Sequence, residues 1–163
     1  MGRVEREQTS ESAGRRVVNS PPMDPSPVPV IDAVDGASVT AHSGVDLLEL
    51  GRWRDVHARH GARFLDRIYT TREQDYCGDR QHELAARFAA KEAVMKALGT
   101  GVRGVGWREI EILANARGKP IVLLHGRARA RANRLGFRRV EISMTHEREI
   151  ACAFAVAIGE GAA

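Results

Sequence analysis

An α+β fold is expected from three observations. The elements run β-α-α-α-β-β-α-β-β along the chain, and the later strands come as sequence-adjacent pairs joined by turns rather than helical crossovers. One long Ala-rich segment, Gln81 to Leu98, supplies a central helix. The expected architecture is one compact domain, residues 39–160, with a mostly antiparallel sheet around that helix. Its 163 residues suit one domain, since domains run to roughly 100–200 residues.

Taken in order, residues 1–38 hold five of the six prolines and show no periodicity, so they are expected to be a disordered Pro-rich extension. Ser43–Leu48 reads as a short buried strand. Arg52–Arg67 reads as an Arg-rich helix with Trp53, Val56, Phe64 and Ile68 inward. Thr70 or Thr71 caps a short following helix. Gln81–Leu98 ends at Gly99-Thr100-Gly101, with Gly99 as the expected C-terminal stop. Glu109–Leu113 alternates as a strand, turns through Asn115–Pro120 and returns along Ile121–Leu124. Arg127–Leu135 is a basic helix stopped by Gly136. Val140–Met144 and Ile150–Ile158 close the chain as a hairpin around Thr145–Glu149, with His146 in the turn.

Composition narrows the function. The longest nearly apolar run, Ile150 to Ile158, is nine residues, too short to cross a bilayer, and no secretory signal opens the chain. Cys77 and Cys152 lie far apart with no clustered histidine, against a disulfide scaffold or zinc module. A cytoplasmic protein is therefore expected. Residues 1–40 carry a net charge of −2 and residues 41–163 a net of +6, so an anionic partner is expected for the domain. Lys is rare in this Arg-rich chain, yet two of its three lysines, Lys91 and Lys96, fall within six residues.

On a helical wheel at about 100° per residue, Leu84, Phe88, Met95 and Leu98 form an apolar stripe. Lys91 lies inside that stripe, Glu92 on its edge and Lys96 beyond. Half-buried charges are costly unless paired or bound to an ion. One reading is an i,i+4 surface pair of Glu92 with Lys96. The other is a hard-cation site, with a second carboxylate from Asp46, which interrupts an apolar strand where aspartate is disfavoured. Asp46 also fits a strand-end or capping role.

Three segments together resemble the signatures of holo-[acyl-carrier-protein] synthase. They are Gly44-Val-Asp46-Leu-Leu-Glu49, Arg87-Phe-Ala-Ala-Lys91-Glu92-Ala-Val-Met-Lys96-Ala-Leu-Gly99-Thr-Gly101, and Ile142-Ser-Met-Thr-His146. Trp107–Ile112 and Gly118-Lys-Pro120 also resemble that family's intervening segments, so the likeness spans about residues 43–158. Gln74 and Gly51 depart from it, standing where an apolar and a basic residue are common. The resemblance implies transfer of 4'-phosphopantetheine from coenzyme A to a serine of apo acyl carrier protein, with adenosine 3',5'-bisphosphate released. It implies a homotrimer with active sites between subunits. Asp46 and Glu92 would bind Mg²⁺, and Lys96 would contact phosphate. Gly99, Thr100, Ser143, Thr145 and His146 would line the coenzyme A pocket, the last three from the adjoining subunit. Arg52 would meet the carrier protein. The base that takes the serine proton stays open among a metal-bound water, Asp46 and Glu49, with a water held against Glu49 or Glu92 as the hypothesis.

Two rival functions stand beside this one. Nucleic-acid binding is suggested by the basic run Gly126–Arg134, but its arginines spread around a helix and aromatics total only 5%. A noncatalytic assembly subunit accounts for neither Asp46 nor Glu92. No nucleic acid and no membrane are expected as partners.

Overall fold

The computed structural model describes residues 39–160. The expectation for residues 1–38 lies outside the described residues. The elements are β1 (Val39–Glu49), α1 (Leu50–Ile68), α2 (Thr71–Cys77), α3 (Gln81–Ala97), β2 (Ile110–Ala114), β3 (Pro120–Leu124), α4 (Gly126–Arg134), β4 (Phe137–Glu147) and β5 (Ile150–Glu160). β1, β5 and β4 form an antiparallel sheet in that order, and β2 pairs with β3 as a separate hairpin. Fold class and element order therefore match the sequence expectation. Among the described residues no helix is long and apolar enough to cross a membrane.

The core forms where α3 crosses the sheet. Every second residue of β5 from Ala151 to Ala157 is alanine, and all four are at most 1% exposed. Small side chains on this face let the helix backbone come close. Gly44 of β1 goes further: a Cβ there would sit 2.1 Å from the Ala93 carbonyl oxygen, so only glycine fits. α3 is also buried more widely than its predicted stripe. Ala85, Ala86, Ala89, Ala90, Ala93 and Ala97 are buried as well, because the sheet covers one side and other elements the rest.

α1 docks through Trp53, whose indole Nε1 donates to the Tyr69 hydroxyl at 3.0 Å. That hydroxyl donates in turn to the Leu84 carbonyl of α3 at 2.8 Å. Trp53 and Ile68 are buried as expected, whereas Val56 and Phe64 are half-buried. Helical dihedrals break at Gly61 (φ 50°, ψ −133°), a conformation that side chains with a Cβ resist. Thr70 caps α2 with a full capping box, its hydroxyl accepting from Glu73 N while Glu73 accepts from Thr70 N.

Four expectations need correction. β1 is longer than Ser43–Leu48 and is not buried: Val45 and Leu47 are 55% and 61% exposed. It is an edge strand with α3 behind only one face. Glu109 belongs to a short 3₁₀ turn, and Ile110–Leu113 is buried on both faces rather than alternating. Finally, β4 and β5 extend to Glu147 and Ile150, leaving only Arg148 and Glu149 between them. Thr145 and His146 are thus strand residues, paired with Cys152 and Ala151, and His146 is not in a turn. Cross-strand pairing carried the ladder past the point where the polar run Thr-His-Glu suggested a loop.

Candidate active site

Strand alternation aims Gly44, Asp46 and Leu48 at α3 while Val45 and Leu47 face outward. Glu92 and Lys96 stand on the helix face beneath. Lys96 Nζ donates to Asp46 Oδ1 at 2.9 Å and to the Val45 carbonyl at 2.7 Å. The ion pair that Lys96 makes is with Asp46, fifty residues away, rather than the i,i+4 pair with Glu92 that the helix alone allowed.

Glu92 is half-buried. Burial pushes its carboxyl above the ordinary range, the nearby Asp46 charge pushes it further, and the Lys96 ammonium offsets only part of this. No hydrogen bond to a described residue contributes to that balance. Two carboxylates that repel each other, with an exposed ammonium paired to one of them, suit a hard divalent cation. They line a cavity of about 410 Å³ with Arg52 and the apolar side chains Trp53, Phe64 and Phe88.

The other sequence-predicted residues lie elsewhere. Gly99 (φ 62°) and Thr100 end α3 in a Schellman motif, Gly99 N donating to Lys96 O at 3.0 Å and Thr100 N to Met95 O at 2.9 Å. They border a separate cleft with Gly104, Arg127, Arg131 and Arg134. Ser143 and Thr145 pair with Phe154 and Cys152 on the outer face of the sheet, whereas His146 points inward, its ring 4.6 Å from that of His82. One chain thus brings together Asp46, Glu92, Lys96 and Arg52, and leaves the remaining candidates on three other surfaces. A larger cleft of about 560 Å³ between β3, α4 and β4 contains none of them.

Sequence reasoning missed the buried pairing of Lys91 with Glu73. Lys91 is fully buried and donates to Glu73 Oε2 at 2.8 Å, to the Trp107 carbonyl at 3.1 Å and to the Ile110 carbonyl. Glu73 Oε1 accepts from Ile112 N at 2.9 Å. The group ties α2, α3 and β2 together. Burial pulls the Lys91 ammonium below its ordinary range, with Glu73 holding against that. The signals were present: a lysine inside an apolar stripe, and a Thr-x-x-Glu sequence whose glutamate had two jobs. The apolar lining from Trp53, Phe64 and Phe88 was also missed, because aromatic residues at helical spacing read first as core.

Fold and site define a transferase class. A family model described as the 4'-phosphopantetheinyl transferase superfamily matches residues 43–155, and the chain belongs to that superfamily. Within it, the chain is 45% identical over 124 residues to a holo-[acyl-carrier-protein] synthase of Herpetosiphon aurantiacus, covering 72% of this chain and 98% of the relative. It is 46% identical over 120 residues to the synthase of Gloeobacter violaceus, covering 71% and 91%. Among solved structures, the synthase of Neisseria meningitidis aligns with a TM-score of 0.65 at 39% identity, over 71% of this chain and 96% of that one. The Helicobacter pylori synthase in complex with coenzyme A aligns with the same TM-score at 25% identity, over 71% and 98%.

Proposed function

We infer that the chain is a holo-[acyl-carrier-protein] synthase: it transfers 4'-phosphopantetheine from coenzyme A to a serine hydroxyl of apo acyl carrier protein. The observation that carries the mechanistic reading is the convergence of Asp46 and Glu92 on one cavity, with Lys96 bridging to Asp46. Asp46 and Glu92 would hold Mg²⁺, which would supply positive charge against the coenzyme A diphosphate. Lys96 is half-exposed and trades its contact with Asp46 for a phosphate oxygen, placing a second positive charge where the leaving group forms. The proton of the attacking serine goes to a water held against Glu49 or Glu92. Arg52 is exposed at the rim of the cavity and heads a basic helix with Arg54, Arg59, Arg63 and Arg67, also exposed, which suits an acidic carrier protein.

The working unit is a homotrimer. Val45, Leu47, Ile150 and Phe154 are 55%, 61%, 42% and 47% exposed on one sheet face, an apolar patch that a second copy would cover. Ser143 and Thr145 share that face, which supports their lining a neighbour's coenzyme A pocket beside that neighbour's Gly99 and Thr100; His146, from the same subunit as Ser143 and Thr145, would reach the pocket from the other face of the sheet.

The direct test incubates the protein with coenzyme A, Mg²⁺ and an apo carrier protein and weighs the carrier by mass spectrometry. The expected result is gain of one phosphopantetheine, abolished by chelator and lowered at least about 100-fold by Glu92→Gln. A carrier of unchanged mass rejects the transferase. Full activity of Glu92→Gln rejects the metal assignment alone.

A further inference from the structure

We propose that His82, Glu83 and His146 form a second metal site, suited to a Zn²⁺-class transition ion and distinct from the Asp46–Glu92 pocket. His82 and Glu83 occupy the first turn of α3, and His146 reaches them from β4. One ligand atom from each lies within 4.8 Å of the other two, and the two imidazole centroids are 4.6 Å apart. Tetrahedral zinc, with bonds of about 2.0–2.1 Å, needs its donors roughly 3.4 Å apart. Small side-chain rotations close that difference, since His146 is exposed and Glu83 only half-buried.

The surroundings match those of a ligand set. Glu83 Oε2 accepts from Arg87 Nη1, and the buried Arg87 is itself held by the Ile112 carbonyl at 3.2 Å from Nε. Such outer partners orient ligating side chains. A cavity of about 160 Å³ lined by Glu83, His146, Arg87, Tyr76 and Met144 adjoins the cluster, leaving room for a water as fourth ligand at about 30 Å³. Two imidazoles and one carboxylate shared with an arginine favour a borderline ion. Mg²⁺ and Ca²⁺ need more oxygen than the site offers. Because His146 is also assigned to the coenzyme A pocket, an ion here takes an imidazole from that pocket. This coupling, unlike the site itself, rests on the transferase reading.

The test uses the full chain without a polyhistidine tag, stripped with chelator and titrated with Co²⁺ and then Zn²⁺ in the absence of coenzyme A. In Glu92→Gln, where the Asp46–Glu92 pocket has lost a ligand, one equivalent of Co²⁺ per chain is expected, seen by its visible absorption and displaced by Zn²⁺. His82→Ala should weaken Zn²⁺ binding by about 100-fold or more, since losing even an outer partner costs roughly 10–100-fold. His82→Gln repeats the measurement without leaving a gap, and circular dichroism checks the fold of both. Glu92→Gln should leave Zn²⁺ binding unchanged. Failure of Co²⁺ to bind at millimolar metal, Zn²⁺ binding as tight in both His82 variants as in the parent, or equal loss in Glu92→Gln would each overturn the site. None of these readings depends on transferase activity.

Discussion

Lys91 and Glu92 are neighbours in sequence, yet they meet opposite fates that only their surroundings explain. Lys91 is sealed against Glu73 and two carbonyls and serves the fold, whereas Glu92 lines a cavity and is half-open to solvent. Removing one member of a buried pair leaves the other charge stranded, at a cost of about 3–5 kcal/mol. Glu73→Gln should therefore lower the denaturant midpoint sharply, and replacing Lys91 by Met in the same chain should restore much of the loss. Glu111 makes a second residue-scale prediction. Burial pushes its carboxyl up, but the Thr70 hydroxyl, His125 and Arg72 outweigh that and hold it below the ordinary range. A depressed native pKa contributes stability that is present above the unfolded value, about 4.3 for Glu, and is lost as pH falls through the native value. Acid titration of unfolding free energy should show a steeper low-pH loss in the parent chain than in Glu111→Gln.

At the scale of elements, the site depends on how closely β1 lies on α3. Asp46 is two residues from Gly44, and any Cβ at Gly44 meets the Ala93 carbonyl at 2.1 Å and Ala97 N at 2.7 Å. Both obstacles are helix backbone, which cannot rotate aside. Gly44→Ala should cost about 1–3 kcal/mol as a minimum for overpacking, and should weaken Mg²⁺-dependent activity by moving Asp46 away from Glu92. Thermal melting separates the two effects: a folded but inactive variant is the expected outcome at low temperature. Elements were legible where local chemistry decides. The capping box at Thr70, the glycine stop after α3 and the final hairpin all follow from nearby residues. Strand ends were less legible. β4 runs through Thr145 and His146 because β5 supplies a partner for each residue, and a partner on another segment leaves no mark in the local sequence.

For the whole molecule, the open question posed by one chain is what covers the outer sheet face. An edge strand with Val45 and Leu47 outward beside Phe154 is an invitation to association. Sedimentation should give three times the chain mass of 17.9 kDa. Phe154→Arg should give monomers with lost transferase activity but a preserved far-ultraviolet spectrum, and active monomers would rule out an interfacial site. The sequence by itself determined the α+β order and the helix of alanines, because periodicity and capping are local properties of a chain, and it singled out Asp46, Glu92 and Lys96 only as candidates. Only the tertiary structure decided which cation meets which anion. Lys96 bridges to Asp46 from fifty positions away, and Lys91 turns inward to Glu73, because electrostatic partners are chosen by distance in space and by burial, neither of which spacing along the chain records.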